Sequence, residues 1–152
     1  MKSKIPYTFK IKLPADADYV APVRKFVADI LQVQQFSPKF SFRSEVIVDE
    51  ICYNAVLYGS QSIDATVDLI CSIYSDRVEF QINDEGGNTE NMKRLKEVIE
   101  NKDERFEKEV QHYKSSKGLG LEIVRLLSEK VNLKISKNNV TSIHVIRRRE
   151  EN

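Results

Sequence analysis

A chain of 152 residues, 41% hydrophobic and 31% charged, has the size of one ordinary domain and can bury a core without disulfide or metal staples. Its 24 basic and 23 acidic residues nearly cancel, so no net field favours nucleic acid or an anionic membrane, and no apolar run approaches the roughly 20 residues that span a bilayer. The start, MKSKIPYTFK, has no apolar h-region, so no secretory signal is expected; Cys52 and Cys71 sit in apolar surroundings without metal or redox spacing, as reduced core thiols of a cytoplasmic protein would.

In chain order, residues 7–13 alternate with Phe9, Ile11 and Leu13 on one face and predict a strand that Pro14 stops. From 18 to 36, Val20, Val23, Phe26, Val27, Ile30, Leu31 and Val33 recur at helical spacing, with Pro22 in the tolerant first turn. Ser37 and Pro38 read as a break, and a second helix is predicted over 42–58, ending near Gly59. Residues 65–74 and 77–83 predict two strands joined by a tight Ser75-Asp76 turn. The stretch 88–117 is polar, with 8 basic and 7 acidic residues and two short helical patterns. An amphipathic helix is predicted over 119–131, then strands over 133–136 and 141–147 around a Lys137-Asn138-Asn139 turn. The closing run Arg147-Arg148-Arg149-Glu150-Glu151 reads as a solvated strand end. This order predicts an α+β fold, a two-layer α/β sandwich with a mixed, mostly antiparallel sheet, in one domain covering 1–152.

Glycine is scarce. There are 5, where average usage of about 7% gives roughly ten, and they fall in three places: Gly59, Gly86-Gly87, and Gly118 with Gly120. Each place borders a polar constellation. On the second helix Ile47, Val48, Ile51, Cys52, Ala55 and Tyr58 fill one arc, and Glu50 and Asn54, four residues apart, are neighbours on its flank. Asp84 leaves the alternating strand 77–83 into Glu85-Gly86-Gly87, which sets a carboxylate at a strand mouth and lets the backbone beyond approach a ligand. Ser116-Lys117-Gly118-Leu119-Gly120-Leu121 opens the last helix with free backbone N–H groups and a positive dipole end, a setting that suits phosphate.

Taken together and in this order, a helix with Glu50-x-x-x-Asn54-Ala55, a strand ending Asp84-x-Gly86, a polar stretch and Gly118-Leu119-Gly120-Leu121 at a helix start, the chain resembles the GHKL ATP-binding superfamily with the Bergerat fold. Its length and the run Glu50-Ile-Cys-Tyr-Asn-Ala-Val-Leu-Tyr-Gly59 look like the anti-sigma factor serine kinases of bacterial partner-switching systems. The resemblance implies ATP and Mg²⁺ as cofactors. Asn54 would be the metal ligand, a hard oxygen for a hard cation. Glu50 would be the general base. Asp84 would accept a hydrogen bond from the adenine amine, with Gly86 letting the backbone pass close to the base. Gly118, Leu119, Gly120 and Leu121 would cradle the phosphates, and 88–117 would be a lid. Of the basic residues Arg105, Lys114 and Lys117, Lys117 is favoured at the γ-phosphate because it abuts Gly118. The family often writes its first glycine box Asp-x-Gly-x-Gly; here the glycines are adjacent and Asn88 fills the later position.

The function so implied is a protein serine kinase that phosphorylates a STAS-domain anti-anti-sigma partner and binds a sigma factor, with no direct contact to nucleic acid or membrane. Homodimers are common in such a family, so one is expected here. The alternative is a nucleotide-dependent binding switch without kinase activity, which needs Asn54 and Asp84 but no base. A sensor histidine kinase is excluded for this chain alone, because His112 and His144 lie in the lid and in a strand.

Overall fold

The computed structural model describes residues 6–58, 64–84, 120–135 and 140–149. In chain order they form β1 (Tyr7–Pro14), a 3-10 turn (Ala17–Tyr19), α1 (Val20–Val33), α2 (Pro38–Tyr58), β2 (Thr66–Ile73), β3 (Arg77–Asp84), α3 (Gly120–Leu127), β4 (Lys130–Ile135) and β5 (Thr141–Arg148). The sheet order is β1-β2-β3-β5-β4, and every neighbour among the described strands is antiparallel. The expected α+β sandwich is present, with no parallel pairing in its described part. The tight Ser75-Asp76 connection favours this, and across it Tyr74 N donates to Arg77 O at 2.8 Å.

Period-two alternation puts one side of each central strand into the core. Val67, Leu69, Cys71 and Ile73 of β2, Val78, Phe80 and Ile82 of β3, and Ile143 and Val145 of β5 are buried. They meet Val20, Val23, Val27 and Leu31 of α1 and Ile47, Val48, Ile51, Cys52 and Ala55 of α2 in one cluster. The opposite side is polar and cross-linked. Gln81 Nε2 lies 3.1 Å from both Asn83 Oδ1 and Ser142 Oγ, and His144 Nε2 lies 2.8 Å from Glu79 Oε1. Both cysteines are free and buried, and burial pushes each thiol up to about 12, which keeps them protonated and unreactive.

Three boundaries differ from the sequence reading. Ser37-Pro38 does not break the helical region but starts α2: Ser37 Oγ accepts from Phe40 N at 3.0 Å, and Pro38 takes the first helical position. The last helix ends at Leu127 rather than 131, because Glu129 N already donates to Ile146 O at 2.9 Å and draws the chain into β4. The arginine run is only partly solvated. Arg147 is 3% exposed, while Arg148 is exposed and lies 4.0 Å from Glu129.

The end of α1 explains part of the glycine economy. Gln35 has φ 64°, the left-handed position that glycine usually fills after a helix. Phe36 N donates to Leu31 O and Gln35 N to Gln32 O, both at 3.0 Å, the paired bonds of a Schellman stop. Arg149 holds the strained residue in place: its Nη2 donates to Gln35 O at 2.7 Å and its guanidinium lies 4.2 Å over the Phe36 ring. A left-handed side-chain-bearing residue costs about 1–2 kcal/mol, and glycine's extra unfolded freedom returns about half of that. Gln35→Gly is therefore expected to stabilise the fold by about 0.5–1 kcal/mol, read as a rise in Tm of about 2 °C.

Candidate active site

The site is built on α2. The capped start and an inward arc of fully buried residues fix the rotation of this helix. That rotation leaves Glu50 and Asn54 half-buried on the flank, one turn apart. Asp49, beside Glu50, pairs with Arg24 of α1 at 3.3 Å and ties the two helices together. Burial first, then the charges of Asp49 and Glu122, push the Glu50 carboxyl above the usual carboxylate range. Glu122 comes from the first turn of α3, which packs against α2, and is 6% exposed. A carboxylate there sits at the favourable end of the helix dipole.

Asn54 carries the clearest sign of an external ligand. Its Nδ2 is buried and has no hydrogen-bond partner among the described residues. A buried polar atom left this way costs about 1–3 kcal/mol. Half a turn of the amide puts Oδ1 at the same place, so the position serves a donor or a hard oxygen equally.

A second polar pair closes the neighbouring strands. Asp84 ends β3 and is 4% exposed; in the β3–β5 register it stands opposite Thr141, the first residue of β5. The Thr141 hydroxyl is buried and has no hydrogen-bond partner among the described residues. β3 also packs against α2, the helix that carries Glu50 and Asn54.

Glu50 and Asn54 lie on α2, Asp84 ends β3, and Gly120 opens α3 with Leu121 in its first turn. Gly86, Lys117, Gly118 and Leu119 lie outside the described residues, as do Arg105, Lys114 and the whole stretch 88–117. Thr141 and Glu122 are additions. Thr141 shares the parity of Ile143 and Val145, so its inward side was readable; its place opposite Asp84 depends on a pairing between distant strands.

A family profile described as "Histidine kinase-like ATPase domain" matches residues 13–146. The chain belongs to the histidine kinase-like ATPase family. The family is that of ATPases, which accords with a nucleotide as the ligand of these polar groups. The chain is 26% identical over 124 residues to a serine-protein kinase RsbW of Bacillus mycoides, covering 82% of this chain and 75% of that protein. A serine-protein kinase RsbW of Bacillus cereus is 25% identical over the same shares. Among solved structures, the SiaB–SiaC complex from Pseudomonas aeruginosa contains a chain that aligns with a TM-score of 0.72 at 12% identity, covering 91% of this chain and 88% of that one. The RsbU and RsbW domains of Rv1364c from Mycobacterium tuberculosis align with a TM-score of 0.64 at 14% identity, covering 93% of this chain and 32% of that one. At these identities the structures speak for the fold of this family member.

Among the described residues, no helix is long and apolar enough to cross a membrane.

Proposed function

We propose that this protein is an ATP- and Mg²⁺-dependent protein serine kinase that phosphorylates a STAS-domain anti-anti-sigma partner and binds a sigma factor. The observation that carries the reading is the pair on α2: a half-buried carboxyl with raised proton affinity, one turn from an amide whose buried nitrogen has no hydrogen-bond partner among the described residues. Similarity to the serine-protein kinases RsbW supports phosphoryl transfer to serine, and the SiaB–SiaC complex that contains one structural neighbour supports a protein partner.

When bound, Mg-ATP supplies the phosphoryl group and the cation that offsets its charge. The chain's own residues do the rest. Asn54 would hold the metal through Oδ1. Asp84 would accept from the adenine amine, with the Thr141 hydroxyl beside it as a second polar contact. The backbone N–H groups at Gly120 and the preceding Gly118-Leu119 would face the phosphates, and Lys117 would meet the γ-phosphate. Glu50 would take the serine proton.

The deciding experiment incubates the purified protein with Mg-ATP and a purified STAS-domain protein. Phosphate on a serine supports the kinase; tight ATP binding with no transfer to any such protein favours the binding switch. Two variants test the base contact. Asp84→Asn is expected to weaken ATP binding about tenfold or more and to narrow the preference for ATP over GTP, measured by calorimetry. Thr141→Val is expected to weaken ATP binding only a few-fold and to raise Tm, because it removes a buried hydroxyl that has no hydrogen-bond partner among the described residues.

A further inference from the structure

The near-zero net charge of the chain hides a segregation that the strand register brings out. The described helices join the core on one side of the sheet, through residues such as Val27, Ile51 and Val124. The other side carries the alternate residues of every strand. One row across it runs Lys12, Asp68, Asn83, Ser142, Lys134, and the next runs Lys10, Ile70, Gln81, His144, Asn132. The charged residues on this side are Lys10, Lys12, Arg77, Lys130, Lys134 and Arg148, against Asp68 and Glu79. Even with Asp76 and Glu129 of the adjoining turns counted, the face is basic and the rest of the chain is net acidic.

Both carboxylates on the face are already engaged. Asp68 meets Lys12 at 3.3 Å and Lys10 at 3.5 Å, so it offsets only one of two lysines. Glu79 meets Arg77 and His144, each at 2.8 Å. On the far edge Lys130 and Lys134 are exposed and have no ion pair among the described residues. An incoming anion therefore meets lysines on both edges and no bare carboxylate between them.

The spacing of those edges sets the size of the occupant. Four strand spacings put β1 and β4 about 19 Å apart. An α-helix is about 10–12 Å across, and lysine stems can span the remainder on either side. The floor between is neutral, with Gln81 bonded to Asn83 and Ser142, and it carries half-buried Ile70 and Ile146 on either side of β3.

We propose that the open face of the sheet docks an acidic amphipathic helix of a partner protein, laid along the strands with its apolar side on Ile70 and Ile146 and its carboxylates on Lys10 and Lys12 at one flank and Lys130 and Lys134 at the other. Other occupants of a basic face fit less well. Nucleic acid bases need a stacking surface, and Tyr74, the one aromatic residue on this side among those described, has Arg77 3.8 Å over its ring. A membrane surface needs protruding apolar side chains, and both isoleucines are half-buried. A second copy would set like charges against each other. Because α2 lies on the opposite side of the sheet, the docked helix leaves Glu50 open, and the inference does not depend on nucleotide binding.

The probe is a synthetic helical peptide with a leucine stripe flanked on both sides by glutamates, titrated into the full chain and followed by NMR. Signals of Ile70, Gln81, Ser142 and Ile146 should shift, and those of Val27 and Ala28 in α1 should not. The variant Lys130→Glu/Lys134→Glu should bind about tenfold more weakly or worse, because two attractive contacts become repulsive. Lys25→Glu/Lys39→Glu makes the same change in net charge at exposed helix positions and should leave affinity within about twofold. A peptide of the same composition with its leucines scattered should also lose about tenfold. Equal binding of the scattered peptide overturns the proposal, since net charge alone would then account for the attraction. Shifts confined to α1 and α2, an equal loss from the two double variants, or tighter binding of a DNA duplex or of phosphatidylserine vesicles overturns it as well.

Discussion

Glu50→Gln is expected to lower phosphoryl transfer to serine by about 10²–10⁴-fold while leaving ATP affinity within a few-fold. Glutamine keeps the shape and removes the proton acceptor, so a loss confined to turnover assigns the base, whereas a matching loss of ATP binding would reduce Glu50 to a binding contact. The pH dependence carries a second signature. The raised Glu50 carboxyl must be ionised to act, so the acid limb of the rate profile should lie above the ordinary value of 4.5. The sign for stability is opposite. The folded protein binds this proton more tightly than the unfolded chain, so Glu50 detracts from stability above its folded pKa, and the penalty fades as pH falls to the unfolded value. Glu50→Gln should therefore have a higher Tm than the wild type near pH 7 and an equal one in acid. A variant that loses activity and gains stability is the mark of a strained functional group.

Arg147→Ala is expected to be the most damaging single truncation outside the apolar core, about 3–5 kcal/mol, or a fall in Tm on the order of 10 °C. Arg147 Nη1 donates to Phe40 O at 2.9 Å and to Ser44 Oγ at 3.0 Å, and Nε donates to Leu127 O at 3.0 Å. The guanidinium also lies 4.2 Å over the Phe40 ring. One side chain thus joins the first turns of α2, the last carbonyl of α3 and β5. Lysine cannot span these acceptors with a planar fork, so Arg147→Lys should recover only part of the loss. Arg148→Ala, one residue on, should change stability by less than about 0.5 kcal/mol. Equal losses at 147 and 148 in thermal melts would contradict the buried role.

Local periodicity made most of the fold legible. The inward arc of α2, the alternation of β2 and β3 and the Ser75-Asp76 turn are short-range patterns, and each appears where its residues predict it. The places of Glu50 and Asn54 on a helix and of Asp84 at a strand end were readable for the same reason, since each is set by its own element. The misses come from signals with two readings or with distant causes. Ser37-Pro38 can end one helix or cap the next, and the cap bond to Phe40 decides it. Val131 continues a helical spacing, yet pairing with Val145 takes it into β4. Arg147 was judged by the composition of its run. Its parity with Ile143 and Val145 points inward, and distant partners such as the carbonyls of Phe40 and Leu127 and the hydroxyl of Ser44 help to make burial of that charge tolerable.

The contacts of Arg147 and Arg149 also bear on how the chain reaches its native state. Arg147 and Phe40 are 107 residues apart, and Arg149 and Gln35 are 114 apart. The turn between α1 and α2 and the start of the helix that bears Glu50 are therefore completed by the last described strand. Helices α1 and α2 can form early from local contacts, but their junction stays unlocked until β5 has been synthesised and has paired with β3. Such long loop closures are slow, and the apolar faces of both helices remain open to other chains in the interval. During synthesis, a nascent chain stalled before residue 147 would carry the residues of the site without the clasp that fixes them.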